Sequence, residues 1–568
     1  MIKKILPILF AGIVFWGCSK KQANPTPVNI LPPADTSTGK PNSEHISVFT
    51  QHNDNTRAGF NSHETVLTTA NVNSAHFGKL FSLPVDDQVY AQPLVYGNLN
   101  IASGTHNVVF VATVNNTVYA FDGTKGNLYW KKNFTVAGQR PPLASDMNSD
   151  WCTPYQDITA NMGIVGTPVI DSASKTIYFV ARSTNGGANG FVQELHAVDI
   201  TTGADRAGSP VALAASVPGT GDGNVGGVVS FDPKKNNQRQ ALTLVNGVVY
   251  ISFSSHCDLN PYHGWILGYN ASTLKQAIVY CDTPTGEAGG LWESGMGMAA
   301  DATGSLYVVS GNGTVGQNGF TPSGNGTNPT ASNPNPSDLT NRGESALKLT
   351  PSGGTLQVSS FFTPNNYNNL DANDLDYGVM GAFLIPESNL FLTGCKDGNL
   401  YLLNKDNMGS YSASFNQVVQ TIPLNVNLHC QPAFYKGVDQ YMYVWSENDQ
   451  LRAFKFSGGT FATTPVVSSY QGPNGPSGAD LSVSSNGSTP GTGILWALYS
   501  TDSSLPGGVG AGVLRAFDAN DITKELWDSS QNVTDVLGFY AKFNSPTIAN
   551  GHVYVPTFSN QVVVYGLK

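Results

Sequence analysis

The chain has 568 residues, of which only 12% are charged, while glycine and proline number 61 and 33. This composition is poor for exposed helices, which favour Glu, Lys, Arg and Ala, and it suits short strands joined by tight turns. The net charge is −10 and no dense Lys/Arg stripe occurs, which argues against a nucleic-acid partner, because such a partner requires clustered cations.

The first 17 residues have the pattern of an export signal. Two lysines precede an apolar run over residues 5–16, which is too short to span a bilayer. Gly17 before Cys18 is similar to a bacterial lipobox, although Phe15 stands where leucine is commoner. The resemblance implies cleavage before Cys18 and lipidation of that cysteine; simple cleavage nearby is the alternative.

Residues 18–45 are predicted to form a flexible tether, because they are rich in Pro, Ser, Thr and Asn and lack apolar periodicity. With a lipid on Cys18, the protein is expected in the cell envelope. The expected anchor is the outer membrane, with the folded part facing the periplasm or the cell surface. The lipid is then its only contact with the membrane.

Residues 91–134 show a repeating unit. Four short β-rich runs, over residues 91–96, 108–113, 117–122 and 128–134, are separated by turn residues. Four antiparallel strands of this length form one blade of a β-propeller. The same order of runs begins again near residues 166, 241, 295, 381, 431, 479 and 545.

The last repeat has only three strands, whereas residues 77–83 near the N-terminus are a strand without a repeat. We predict that this strand completes the last blade, which leaves no open sheet edge at the seam. The sequence therefore predicts an all-β, eight-bladed propeller over residues 46–568, closed by N- and C-terminal strands in one blade. A Gly-, Asn-, Pro- and Ser-rich insert at 311–344 is predicted to be a mobile loop on one face.

The spacing of Ala120, Asp122, Gly126 and Trp130 resembles the repeat of pyrroloquinoline quinone (PQQ)-type propellers. The resemblance covers the chain from about residue 77 onward. It implies the quinoprotein alcohol dehydrogenase type of propeller, in which a tryptophan of each blade docks against the neighbouring blade.

The same resemblance raises the question of a quinone cofactor. Members of that enzyme family typically have two adjacent cysteines over the quinone and a calcium ion held by carboxylate and amide ligands. No two cysteines are adjacent here, so this signature does not support PQQ or calcium. If the resemblance extends to activity, Glu293, Asp374 and Asp376 are the candidate calcium ligands or base.

Polar residues directly precede the innermost strand of most blades, where ligands of propellers usually bind. We predict that they form a polar funnel for a sugar-like ligand, with Trp292 as a stacking wall. The alternative is that these loops are polar only because they are solvated. The residues are Gln92, Asn161, Arg239, Glu293, Asp374, Asp376, His429, Gln431, Lys542 and Asn544, joined by Tyr262, His263 and Trp292 from nearby turns. In particular, Arg239, Glu293, Asp376, His429 and Lys542 are expected to face one cavity.

Five cysteines follow Cys18. Cys395 ends a second strand and Cys430 starts the next blade, so we predict a disulfide between them. A Cys152–Cys257 pair is the second prediction, and it leaves Cys281 free.

Two loops have residue types that bind metals. His256 and His263 flank an aspartate and could bind a metal, but a hydrogen-bonded plug with Cys257 in a disulfide is the favoured interpretation. Asp374 and Asp376 could hold Ca²⁺, but they lack the glycine and the distal glutamate of an EF-hand loop, which favours a solvated turn. Lys396 lies in an Asp-Gly hairpin turn, to which we assign no chemistry.

Three functions remain open. The favoured one is a binding protein that holds a glycan, another small polar ligand or an envelope protein in the funnel. The second is a PQQ-dependent dehydrogenase of alcohols or sugars. The third is a glycan lyase or hydrolase, with His429, Lys542, Asp376 and Glu293 as the candidate catalytic residues.

Overall fold

The computed structural model describes residues 46–148, 152–159, 161–316, 335–472, 477–502 and 510–568. The predicted signal and tether, and the middle of the 311–344 insert, lie outside the described residues. Within the described ranges no helix is both long and apolar enough to cross a bilayer.

Eight antiparallel sheets follow one another along the chain, and they form the eight predicted blades. Blade 1 consists of Leu94–Ile101, Gly104–Ala112, Thr117–Asp122 and Leu128–Asn133, and blade 2 of Val169–Asp171, Thr176–Thr184, Phe191–Asp199 and Val211–Ala212. Blade 3 consists of Asn236–Asn237 with Thr243–Val245, Val248–Ser255, Trp265–Asn270 and Gln276–Cys281. Blade 4 consists of Ala299–Ala300, Leu306–Val309, Ala346–Ser352 and Thr355–Phe362. Blade 5 consists of Met380–Leu384, Leu390–Gly394, Asn399–Asn404 and Gln420–Pro423, and blade 6 of Ala433–Lys436, Gln440–Val444, Gln450–Ser457 and Thr460–Phe461 with Val466–Gln471. Blade 7 consists of Ala479–Ser484, Ile494–Ser500, Gly512–Asp518 and Asp521–Asp528. Blade 8 consists of Thr547–Ala549, His552–Pro556, Gln561–Leu567 and Phe77–Pro84.

Short elements decorate this ring. Ser216–Pro218 and Val228–Ser230 form a hairpin, and Tyr367–Ala372 is an α-helix. The 3₁₀ turns of the described ranges are Ala144–Met147, Glu293–Gly295, Tyr377–Val379 and Val533–Asp535. One strand is added to the ring, Phe60–Asn61. This strand pairs in parallel with the innermost strand of blade 7.

The blades pack face to face, so their inner strands are buried on both sides. All nine residues of Thr176–Thr184 are buried, whereas half of the residues of the outermost strand Leu128–Asn133 are exposed. Trp130 of that outer strand reaches blade 2, where its indole N–H donates to the Ile200 carbonyl at 2.9 Å. A Cβ atom at Gly203 would lie 2.8 Å from Trp130 Cε3, so the docking requires glycine there. The predicted tryptophan contact between neighbouring blades is confirmed at this position.

The ring closes as predicted. Phe77–Pro84 pairs antiparallel with the last strand of the chain, from Phe77 opposite Leu567 to Pro84 opposite Gln561. The Phe77 ring lies 4.9 Å from that of Trp527 in blade 7 and 6.5 Å from that of Tyr565 in blade 8. Blade 8 is therefore built from both ends of the described chain.

Residues 46–64, which we call the inner segment, follow a nearly complete circle inside the ring. Ile46 and Asn61 both bond to blade 8, at Asn550 and at the Ile548 carbonyl. Between these two points the segment bonds to blades 1 to 7 in order, through Val48–Val95, Phe49–Ile170, Thr50–Leu242, Asn55–Ala300, Thr56–Leu384, Ala58–Phe434 and Gly59–Val483. Each blade thus has a contact with the inner segment on its innermost strand or directly beside it.

Arg57 ties the inner segment to blades 3 and 4. Its guanidinium is fully buried and donates five hydrogen bonds, to Thr50 Oγ1, to Thr243 Oγ1 and to the carbonyls of Gln51, Leu242 and Met298. Burial lowers the pKa of Arg57 to about 10, against the opposing charges of Asp54 and Glu293.

The predicted Cys395–Cys430 disulfide is wrong, and both thiols are free and buried. Cys395 packs in the hydrophobic cluster between blades 4 and 5, whereas Cys430 packs in the cluster between blades 5 and 6. Blade 5 therefore separates the two sulfur atoms. The second predicted pair, Cys152–Cys257, is present with its Cα atoms 6.4 Å apart, and Cys281 is free.

Candidate functional site

A cavity of about 510 Å³ lies at the end of the ring where the innermost strands begin. Its walls come from blades 3, 4, 5, 6 and 8 and from the loop at 152–159. The lining residues are Tyr155, Gln156, Asp157, Ile158, Asn237, Arg239, Ser254, Ser255, Cys257, Asp258, Tyr262, Gly290, Trp292, Gly311, Asn312, Asp374, Asp376, Lys396, His429, Lys542 and Phe543. We call this cavity the funnel. The inner segment bonds to positions further along the same innermost strands, so it lies beneath the funnel.

One side of the funnel carries two buried cations. Arg239 donates one hydrogen bond, to the Lys542 carbonyl at 3.2 Å, and its guanidinium carbon lies 4.9 Å from the Tyr90 ring centre and 5.2 Å from that of Phe543. Lys542 is 6% exposed, and its Nζ atom lies 5.8 Å from the Phe543 ring centre. Burial lowers the pKa of Lys542 to about 8; the charge of Arg239 acts in the same direction, while Asp157 opposes it.

Another part of the funnel lining carries carboxylates gathered around one lysine. Lys396 Nζ lies 2.5 Å from Asp376 Oδ2 and 3.3 Å from Asp374 Oδ1. Burial alone would raise the pKa of Asp376, but Lys396 and the Asn312 N–H lower it below its ordinary value. Asp258 accepts from the Tyr262 hydroxyl at 2.8 Å, and burial together with the charge of Asp376 raises its pKa to about 6.

Aromatic rings join these two sides. The Trp292 ring lies edge-on to Phe543 at 5.0 Å and to His429 at 6.2 Å. His429 is held in turn by a hydrogen bond between its Nδ1 atom and Glu447 Oε1. Trp292 is half-buried and forms part of the funnel wall, which is the position predicted for it.

Four of the five residues expected to face one cavity do so: Arg239, Asp376, His429 and Lys542. Glu293 does not. Its side chain is fully buried, Oε1 accepts from the Val309 N–H at 2.9 Å, and burial raises its pKa to about 8. A left-handed backbone at Glu293, with φ of 51°, accompanies this inward position.

Three more of the predicted ligand-binding residues are absent from the funnel lining and form a buried hydrogen-bond network. Gln431 donates to the carbonyls of Ser294 and Phe543 and accepts from Gln51 and Ser545. Gln92 bonds to His52 and Thr547, and the Asn544 N–H donates to Asp480. Gln431 and Gln92 thus join the inner segment to the innermost strands, whereas Asn544 joins blade 8 to blade 7.

Two other predicted residues lie elsewhere. His263 lines a second, smaller cavity of about 350 Å³, where it bonds to Thr283 and to the Asp222 carbonyl. Asn161 donates to Asp87 and is not among the funnel-lining residues. Among the described residues, Tyr262 alone lines both cavities.

The loop at 152–159 forms one wall of the funnel and is tied to blade 3. Cys152 is linked to Cys257, and Tyr155 shares a hydrogen bond with His256 at 3.1 Å. His256 Nε2 also lies 2.7 Å from the Arg182 guanidinium. The His256 loop is thus the hydrogen-bonded, disulfide-linked plug favoured by the sequence.

Sequence reasoning missed Lys396, Asn312 and Asp258, which all line the funnel. Each lies shortly after the second strand of its blade. In an antiparallel blade, the turn after the second strand lies on the same face as the loop before the first. A search of those turns as well as the strand starts could have found them.

The predicted calcium pair does not fit a calcium ion. Lys396 already places a cation between Asp374 and Asp376, and Asp376 also accepts from the Asn312 N–H. The described ranges contain no group of three or more His, Cys, Asp or Glu side chains suited to a metal ion. Calcium binding requires six to eight oxygen ligands, which this arrangement does not provide.

The sequence matches no protein-family profile and no curated protein. Solved structures do match. The quinohemoprotein alcohol dehydrogenase of Comamonas testosteroni is 13% identical, with a TM-score of 0.55, over 92% of this chain and 80% of its own. The chain has the quinoprotein dehydrogenase fold.

Two further structures agree with this fold assignment. A europium-containing methanol dehydrogenase is 12% identical with a TM-score of 0.54, over 93% of this chain and 99% of its own. A quinohemoprotein alcohol dehydrogenase from Pseudomonas putida HK5 is also 12% identical with a TM-score of 0.54, over 92% and 80%. At such identities the likeness concerns the quinoprotein fold and not the chemistry.

The residues do not fit the cofactor arrangement described above for the quinoprotein enzymes, with adjacent cysteines over the quinone and carboxylates on calcium. The disulfide at the funnel wall joins cysteines 105 residues apart and not adjacent ones, and the carboxylates expected to hold calcium are paired with Lys396. We therefore derive no reaction step through a quinone.

Proposed function

We propose that this chain is an exported, membrane-anchored propeller that binds a polar extracellular ligand in its funnel. One observation carries the proposal: titratable residues from distant parts of the chain, from Arg239 to Lys542, converge with Trp292 on one cavity. A concave site with an aromatic wall and a few directed polar groups is typical of small-ligand binding. The cavity size favours a glycan over a protein partner.

The anchor and the location belong to the same proposal. The lipobox-like Gly17-Cys18 and the tether at 18–45 support attachment to the outer membrane. The Cys152–Cys257 pair agrees with an oxidising compartment, since structural disulfides persist outside the cytosol.

Binding is tested on the purified full chain by calorimetry with a panel of neutral, acidic and amino oligosaccharides. We expect at least one class to bind, and His429→Ala to weaken that binding without a large change in Tm. His63→Ala is the matched control, because His63 is exposed and absent from the funnel lining. If no saccharide binds, or if both variants lose affinity equally, the funnel is not the binding site.

The same samples separate binding from catalysis. Mass spectrometry of the bound saccharide after incubation shows whether it is cleaved, and dye reduction with added PQQ and an alcohol shows whether the chain is a dehydrogenase. We expect neither change, and cleavage or dye reduction would replace the binding proposal with the corresponding enzyme.

A further inference from the structure

The charges of the funnel are separated into two poles. Arg239 and Lys542 form the cationic pole, while Asp258, Asp374 and Asp376 with Lys396 form the acidic pole. The two poles differ in how well their charges are already paired, and this difference is informative about the ligand.

The cations of the first pole lack ionic partners within the described residues. Arg239 donates only to the Lys542 carbonyl, and no ion pair involves either side chain. Asp480 acts electrostatically on Arg239, and Asp157 on the exposed loop at 152–159 acts on both charges, but neither carboxylate forms an ion pair with them. Two adjacent buried cations are unfavourable unless an anion compensates them.

The acidic pole differs because one lysine already compensates part of its charge. Asp376 pairs with Lys396, which also lies near Asp374, and Asp258 accepts from Tyr262. These carboxylates still have free acceptor positions, which suit the hydroxyl donors of a sugar.

Building on the proposed function, we infer that the funnel binds a sugar acid, whose carboxylate lies against Arg239 and Lys542 and whose hydroxyls donate to the acidic pole. A guanidinium and an ammonium on one wall match the two oxygens of a carboxylate. Trp292 lines the same cavity beside Phe543, the neighbour of Lys542 in sequence, and a sugar ring can pack on it.

The inference is tested with three trisaccharides on the full chain: trigalacturonate, its methyl ester and neutral maltotriose. The ester keeps the hydroxyls and removes the charge of the acid. We expect trigalacturonate to bind at least about tenfold more tightly than the ester, because charge-assisted bonds are the stronger ones. In Lys542→Met this preference should fall to about twofold or less, and Arg239→Gln should reduce it as well.

Lys234→Met is the matched control, since Lys234 lies in the second cavity and not in the funnel. It should keep the preference for the acid. Lys542→Met should fold, because it replaces a buried unpaired cation by an apolar side chain of similar length.

Each outcome is decisive. Equal affinity for acid and ester overturns the inference but leaves polar-ligand binding in place. Binding of none of the three overturns the inference as well, and the wider saccharide panel then decides the proposed function. PQQ is itself a carboxylic acid and serves as a fourth probe. If PQQ binds and trigalacturonate does not, the cationic pole still binds a carboxylate, but the inference that the ligand is a sugar acid is wrong.

Discussion

At the level of single residues, the charge of Lys542 should make the affinity for the ligand depend on pH. It is buried, and its neighbours Arg239 and Asp157 hold opposite charges; burial is the main reason that its pKa is about 8. We expect the affinity for trigalacturonate to fall as the pH rises through about 8, because the ammonium then loses its charge. Calorimetry from pH 6.5 to 9.5 measures this, and Lys542→Met should show a flatter profile. An unchanged slope in the variant would assign the pH effect to another group.

The same residue makes a prediction about stability. Between about pH 8 and the ordinary lysine value, the unfolded chain binds a proton that the folded chain does not, so stability rises with pH over this window. Lys542→Met should therefore be more stable than the natural chain by roughly 3 kcal/mol at pH 7. Denaturant titrations should show this advantage shrink above pH 8. A variant that is less stable at pH 7 would contradict the unpaired state of the ammonium.

Part of the site could be predicted from sequence alone. Arg239, Asp376, His429 and Lys542 were found because residues before innermost strands of a ring must converge. Glu293 also precedes an innermost strand, but its side chain is buried away from the funnel at a left-handed backbone position. No local sequence pattern predicts that backbone conformation. Lys396 was passed over because its Asp-Gly turn looks like an ordinary hairpin. Its role depends on two aspartates twenty and more residues earlier.

At the level of elements, Phe77–Pro84 should be decisive for the last blade. The Phe77 ring contacts those of Trp496, Trp527 and Tyr565 and is fully buried. Phe77→Ala is expected to cost about 3–5 kcal/mol of unfolding free energy. Leu80→Ala in the same strand should cost far less, because Leu80 is 36% exposed. Equal losses in chemical denaturation would mean that the strand does not hold the blade together.

The disulfide between the loop at 152–159 and blade 3 is the second element to test. In the chain-entropy view, a crosslink that closes a loop of about 100 residues stabilises the fold by up to about 5 kcal/mol. Cys257→Ser should lower Tm and weaken trigalacturonate binding, since Tyr155 and Asp157 would lose their fixed position in the wall. Cys281→Ala removes a free thiol and should leave binding unchanged. If Cys257→Ser binds normally, this wall is not part of the site.

The strand order of the blades was predictable because β-rich runs and turns repeat with clear spacing. The failed Cys395–Cys430 pair shows what spacing cannot provide. Positions that are adjacent in blade order lie on opposite faces of blade 5, and only the packing of each face decides which partner is near.

At the level of the whole molecule, the inner segment joins the eight blades. Arg57→Leu removes five hydrogen bonds in the centre and should destabilise the fold by roughly 3 kcal/mol or more. Arg206→Leu is the control, because Arg206 is more than a third exposed and its ion pair with Asp199 is a surface pair. Thermal unfolding should show one cooperative transition at a lower temperature for Arg57→Leu. A normal Tm would mean that the segment is not needed to hold the ring.

The circular path of the inner segment also sets an order of events during synthesis. Ile46 is among the first described residues to leave the ribosome, yet its partner Asn550 follows 504 residues later. At 5–20 residues per second this interval is roughly 25–100 s. During that time the segment and the strand at 77–84 have no blade 8 to join. If the chain is exported as proposed, it must therefore cross the membrane and be protected from aggregation before its first residues can take their native places.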